Sequence, residues 1–227
     1  MTEQSSTETV GDPPTRRSYR SPARAHASLE TRQRVRSAAE NLFLRDGYFR
    51  TTTKAIAKSA GVSEMTVFNA FSSKAALLSE VIRVRVRGDD HDTPMASREV
   101  WREMLAAPPD QILTRFADLN GQILERTAVI LALAESAAPS DPELAARRDS
   151  SRAHVRSDFQ LIADALATHQ HLAPSLTPRR AADAIYALAD HTTYLRLTTE
   201  CGWRTTEYVT WLATTLTTAL TPPKSQF

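Results

Sequence analysis

A chain of 227 residues, 41% hydrophobic and 24% charged, can bury a sizeable core, and its six glycines and sparse period-2 alternation argue against hairpin-rich β structure. One cysteine, Cys201, excludes an internal disulfide framework, and no apolar run reaches the roughly 18 residues that span a bilayer. The net charge of +2 conceals an asymmetry, with 15 Lys/Arg against 8 Asp/Glu in residues 1–87 and 13 against 18 in residues 88–227.

An all-α fold is therefore expected, with a polyanion partner for the basic first part alone. The polar start "MTEQSSTETV" lacks the charge and apolar stretch of a secretory signal, so the chain is expected to be cytoplasmic, with no membrane partner. Cys201 is expected to be a small buried apolar residue.

Residues 1–28 are polar, with three prolines and four arginines, and read as a disordered basic arm. Ser28 is the expected cap of a helix from Leu29 to Asp46, with Val35, Ala38, Ala39, Leu42 and Phe43 on its apolar face and Gly47 ending it. Thr51 or Thr52 caps a short helix closed by Gly61. Ser63 caps another through Ala70, and Ser72 or Ser73 caps a fourth that ends at Gly88. Residues 29–87 thus form a first domain and 88–227 a second.

In the second domain, helices are expected over 97–106 and 110–138, the latter containing "AVILALA", apolar all round and so expected to be buried on every side. Asp141-Pro142 starts a helix to about His171, and Thr177-Pro178 starts one to about Glu200. "CGW" is a break before a last helix over 206–220.

Two short helices joined by "AGVS" form a helix-turn-helix. Val62, Val67, Ile56 and Phe71 face inward, which leaves Glu64, Met65, Thr66 and Asn69 outward on a helix able to enter a major groove. Over residues 31–82 the chain resembles the DNA-binding domain of the TetR family of bacterial transcriptional regulators. The resemblance is carried by Ala38-Ala39…Leu42-Phe43, Gly47, Thr51-Thr52, Ile56-Ala57, Ala60-Gly61-Val62-Ser63, Thr66-Val67, Phe71, Ser73-Lys74 and Leu77-Leu78. "GWRTTEYVTWLATTLTTAL" is similar to the last helix of one branch of that family.

The resemblance implies an all-α homodimer on a partly palindromic double-stranded operator, with a larger helical domain for a small-molecule effector and for dimerisation. It depicts a ligand-responsive regulator, a repressor released by its effector, and the aromatic and sulfur-bearing residues of the second domain suggest that this effector is small and largely apolar or aromatic; no cofactor is expected. Ligand-independent DNA organisation and control by a protein partner are the alternatives. Thr52, Ser63, Thr66 and Lys74, with Arg32 and Arg50 flanking, are candidate phosphate contacts, and Glu64, Met65 and Asn69 candidate base contacts. Four positions depart from the family pattern: Ala55, Met65, Phe68 and Ala70 stand where Asp, Gly, Tyr and His or Tyr are usual. Phe68 lacks a hydroxyl that in relatives often binds phosphate.

In the second domain Trp101, Met104, Phe116, Asn120, Gln122, Phe159, Tyr186 and Tyr194 are the candidate effector-binding residues. The helix from Thr177 and the last helix, with Trp211, are expected to form an intersubunit bundle. His169 and His171 sit two apart and so on different helix faces, which argues against a metal pair. Arg148, Arg152 and Arg156, spaced by four, make a basic stripe with solvation as its default reading. No convergent catalytic or glycine-rich phosphate constellation is present, so an enzyme is not expected.

Overall fold

The computed structural model describes residues 22–89 and 93–223, so most of the expected N-terminal arm lies outside the described residues. The fold is all-α, with no strand among the described residues. Its first four helices are α1 (Pro22–Asp46), α2 (Thr53–Ala60), α3 (Glu64–Ala70) and α4 (Lys74–Arg87). They are followed by α5 (Glu99–Leu105), α6 (Pro109–Ala137), α7 (Pro142–Thr168), α8 (Pro178–Leu188), α9 (His191–Leu195) and α10 (Thr205–Leu220).

Two expectations about helix limits need correction. α1 starts at Pro22 rather than after Ser28, because proline suits a first turn and "ARAHASLE" favours helix. The helix expected from Thr177 to Glu200 breaks at Ala189-Asp190, where the Asp190 carboxylate caps a new start by accepting from the Thr192 amide at 2.8 Å. The helix then widens into a π-turn over Arg196–Glu200. The loop before α5 contains a 3-10 turn at Met95–Ser97.

Two apolar cores organise the helices. One gathers Val35, Ala39, Phe43, Ile56, Val67, Phe71, Leu77, Leu78 and Val81 from α1–α4. It is completed by Ile130, Ala134 and Ala137 of α6, and by Leu144 of α7. The first four helices therefore bury part of their apolar surface against the rest of the chain, at about 1.5–3 kcal/mol for a side chain such as Leu144. The other core runs through α5–α10, around Trp101, Phe116, Ile162, Ile185, Tyr208 and Leu212. At Gly121 α6 and α10 approach closely: a Cβ there would lie 2.4 Å from Val209 Cγ2.

Burial corrects two further expectations. Cys201 is exposed, because it follows the π-turn on the surface side of the break. Val129, inside "AVILALA", is 61% exposed, so α6 has an open side that its all-apolar pattern did not reveal. Arg148 and Arg152 reach Glu135 of α6 at 3.3 and 2.9 Å, and Arg156 reaches Asp183 of α8 at 3.1 Å. The arginine stripe thus brackets α7 to its neighbours.

Candidate nucleic-acid interface

The reading unit is built from caps. Thr52 Oγ1 accepts from the Ala55 amide at 3.1 Å and starts α2. Gly61 closes that helix at φ 65°, a left-handed value that favours glycine. Ser63 Oγ accepts from the Thr66 amide at 3.1 Å and lies 2.8 Å from Thr66 Oγ1, which opens α3. Ser73, rather than Ser72, caps α4 by accepting from the Ala76 amide at 2.9 Å.

A seven-residue helix such as α3 is marginal alone, so its neighbours hold it. Val67 and Phe71 are buried, whereas Met65 is 67% and Phe68 48% exposed, with Ser63, Glu64 and Asn69 exposed beside them. Apolar side chains this exposed on an otherwise polar helix face outward by construction, since α3's inner side is already filled.

The cations divide into two groups. Arg34, Lys54 and Lys58 are exposed and form no ion pair among the described residues, and Arg50 is exposed within the α1–α2 connection. Arg34 also lines an open groove of about 780 Å³ between α1 and α2, with Glu30, Gln33, Ser37, Asn41 and Ser59. Arg32 and Lys74, in contrast, are engaged inside the protein. The Arg32 guanidinium donates to the Ala70 carbonyl, lies 4.4 Å over the Phe71 ring and sits 3.9 Å from Glu80. Lys74 Nζ donates to the carbonyls of Tyr48 and Thr51 at 2.9 and 3.2 Å and lies 4.2 Å over the Tyr48 ring. Burial lowers the Lys74 pKa, partly offset by the Asp141 charge. Each holds an end of the reading unit, a role that position in the sequence does not reveal.

Sequence reasoning also missed what joins this unit to the rest. Tyr48 Oη donates to Asp141 Oδ2 at 2.6 Å, and Ser73 Oγ donates to Glu143 Oε1 at 2.7 Å. Arg126 of α6 donates to the Arg85 and Val86 carbonyls at 2.6 and 2.8 Å, while Arg85 pairs with Glu40 at 2.6 Å. The only signal in the sequence was the Asp141-Pro142 helix start.

Among the candidate effector residues, Trp101, Met104, Phe116, Asn120, Phe159 and Tyr194 are buried, and Tyr186 is half-buried. The rings of Phe116 and Phe159 meet edge-on at 5.2 Å. Gln122 is exposed and must be removed from the set, because one step along α6 from Gly121 turns it to solvent. Asn120 is spent internally: its Nδ2 donates to the Ala189 carbonyl at 3.2 Å and its Oδ1 accepts from Tyr208 Oη at 2.8 Å. Tyr194 Oη lies 2.8 Å from Thr205 Oγ1. The Trp101 indole N–H is buried and has no hydrogen-bond partner among the described residues.

Residues 35–81 match the family model for bacterial regulatory proteins of the tetR family. The chain is 42% identical over 52 residues to the uncharacterized HTH-type transcriptional regulator YvkB of Bacillus subtilis, a stretch covering 23% of this chain and 28% of that protein. NalD, the secondary repressor of the MexAB-OprM multidrug efflux pump in Pseudomonas aeruginosa, superposes with a TM-score of 0.64 at 22% identity, covering 88% of this chain and 100% of that one. The fatty acid degradation regulator FadR from Bacillus halodurans gives a TM-score of 0.65 at 17% identity, over 82% of this chain and 94% of that one. A regulator from Saccharomonospora viridis in complex with choline gives 0.65 at 17%, over 86% and 100%. No described helix is long and apolar enough to cross a membrane. Residues 35–81 thus match the DNA-reading domain of the tetR family, and over most of its length the chain shares its fold with solved transcriptional regulators.

Proposed function

We propose that the chain is a homodimeric, ligand-responsive repressor that reads a partly palindromic operator through α3. The observation that carries this reading is the capped α3, whose inner side is buried while Glu64, Met65, Phe68 and Asn69 project from it. Asn69 suits hydrogen bonding to a base edge, Met65 and Phe68 suit thymine methyls, and Glu64 can accept from cytosine N4. Ser63, Thr66, Thr52, Arg50 and the exposed Arg34, Lys54 and Lys58 supply backbone contacts. α8 and α10 form the intersubunit bundle.

The effector is largely apolar and near-neutral, with one acceptor for the Trp101 N–H, which has no partner among the described residues. Trp101, Met104, Phe116 and Phe159 would contact it. Repression follows the behaviour stated for NalD. Selection of genomic duplexes bound by the purified chain, followed by thermal-shift screening of small molecules, tests the reading. Enrichment of one palindromic sequence supports it, and failure to enrich any sequence at moderate salt overturns it.

A further inference from the structure

The first turn of α7 is fastened to the reading unit by two separate bonds. Asp141 serves two elements at once: its Oδ1 accepts from the Leu144 amide at 3.0 Å, which starts α7, and its Oδ2 accepts from Tyr48 at 2.6 Å. Ser73 is shared in the same way. Its Oγ caps α4 at the Ala76 amide and donates to Glu143, which also accepts from Arg147 at 2.8 Å. Tyr48 lies in the α1–α2 connection and Ser73 in the α3–α4 connection, so the two bonds hold the backbone on both sides of the helix-turn-helix. Lys74 ties these points together through the carbonyls of Tyr48 and Thr51. One hydroxyl–carboxylate bond would leave a swivel. Two, reaching one rigid helix end, fix an orientation. Leu144, buried in the core of α1–α4, supplies the apolar contact between them.

We propose that Asp141 and Glu143 are positioning residues for operator recognition: by holding Tyr48 and Ser73 they set the angle at which α3 is presented, and so the separation of half-sites that the dimer accepts. The inference rests on the reading of the chain as a DNA-binding dimer. Dimeric readers accept half-sites at a set spacing, and one inserted base pair moves a half-site by about 3.4 Å and turns it by about 34°. A head held in one orientation cannot follow that displacement, whereas a released head can.

The test uses the full chain and the duplex it selects from random DNA, with no, one or two base pairs inserted at the dyad. Tyr48→Phe/Glu143→Ala cuts both fastenings and keeps both helix caps, since Asp141 and Ser73 remain. The wild type should lose at least about tenfold in affinity per inserted pair, and the double variant less than about threefold. The ratio between spacings reads only the folded fraction, so partial unfolding cancels. Should the double variant not fold, Tyr48→Phe alone gives an intermediate ratio. An unchanged ratio, or selection of an isolated half-site, overturns this inference and leaves DNA binding intact. Selection of no sequence at all overturns the DNA-binding reading, and this inference with it.

Discussion

Arg32→Leu separates two roles for this side chain: touching DNA, or holding the helix that touches it. In the structure the guanidinium crosses from α1 to the C-terminal carbonyl of α3 at Ala70 and covers Phe71. A hydrogen bond from a charged donor contributes about 1.5–3 kcal/mol, and the low end applies because the side chain is 39% exposed. The stacking on Phe71 adds about 0.5–1 kcal/mol. The 3.9 Å pair with Glu80 adds little at this exposure. Leucine preserves the apolar stem over Phe71, so the net loss is about 2 kcal/mol. For a chain of this size that lowers Tm by about 4–8 °C. Thermal unfolding followed by circular dichroism measures this loss, and anisotropy titration of labelled operator at several salt concentrations measures binding. Affinity should fall while the slope of log Kd against log salt stays constant. An unchanged Tm with a slope flatter by about 0.9 per head, the mark of one lost phosphate contact, would refute the reasoning.

Three other outcomes are expected. Replacing thymine by uracil at the positions facing Met65 and Phe68 should weaken binding about fourfold per methyl, and Met65→Gly/Phe68→Ala should abolish that sensitivity; uniform losses at every thymine would contradict it. Gly121→Ala should lower Tm, because overpacking against Val209 costs about 1–3 kcal/mol while the better helix former returns at most about 1. A further Val209→Ala change should recover part of that loss, and a Tm raised by Gly121→Ala alone would mean that α6 and α10 part freely. The Asp141 carboxyl is held below its ordinary 3.8, first by the Tyr48 hydroxyl and then by the Leu144 amide. A depressed folded-state pKa adds stability above the unfolded value and loses it as pH falls through the folded one. The stability advantage of wild type over Tyr48→Phe, read from denaturant midpoints, should hold at neutral pH and shrink below about pH 4. An advantage constant down to about pH 2 would show that the bond does not favour the ionised form.

The helix-turn-helix was legible because its signals are local. Thr52, Gly61 and Ser63 each act on backbone groups within four residues, so a short window of sequence contains the whole interaction. The outward set on α3 followed from the inward set by helical period, and Glu64, Met65 and Asn69 stand exposed as it implied, whereas the exposure of Phe68 lay outside that set. The same reasoning misjudged α6 at Val129, since an all-apolar run reports no side left open by the surrounding helices. It also ran Thr177's helix through Asp190, whose ability to start a new helix competes with continuing the old one.

Arg32 and Lys74 mark the boundary most sharply. By sequence both are cations beside a DNA-reading helix, and charge alone assigns them to phosphate. Their acceptors, the carbonyls of Ala70, Tyr48 and Thr51, lie 38, 26 and 23 residues away, distances over which no periodicity informs. The bonds from Tyr48 to Asp141 and from Ser73 to Glu143 span 93 and 70 residues. Sequence by itself determined the caps of the helix-turn-helix and most of the outward face of α3, because those depend on neighbours along the chain. Only the tertiary structure decided which cations are committed internally and how α7 grips the reading unit, because a side chain's partner is chosen by packing among helices remote in sequence.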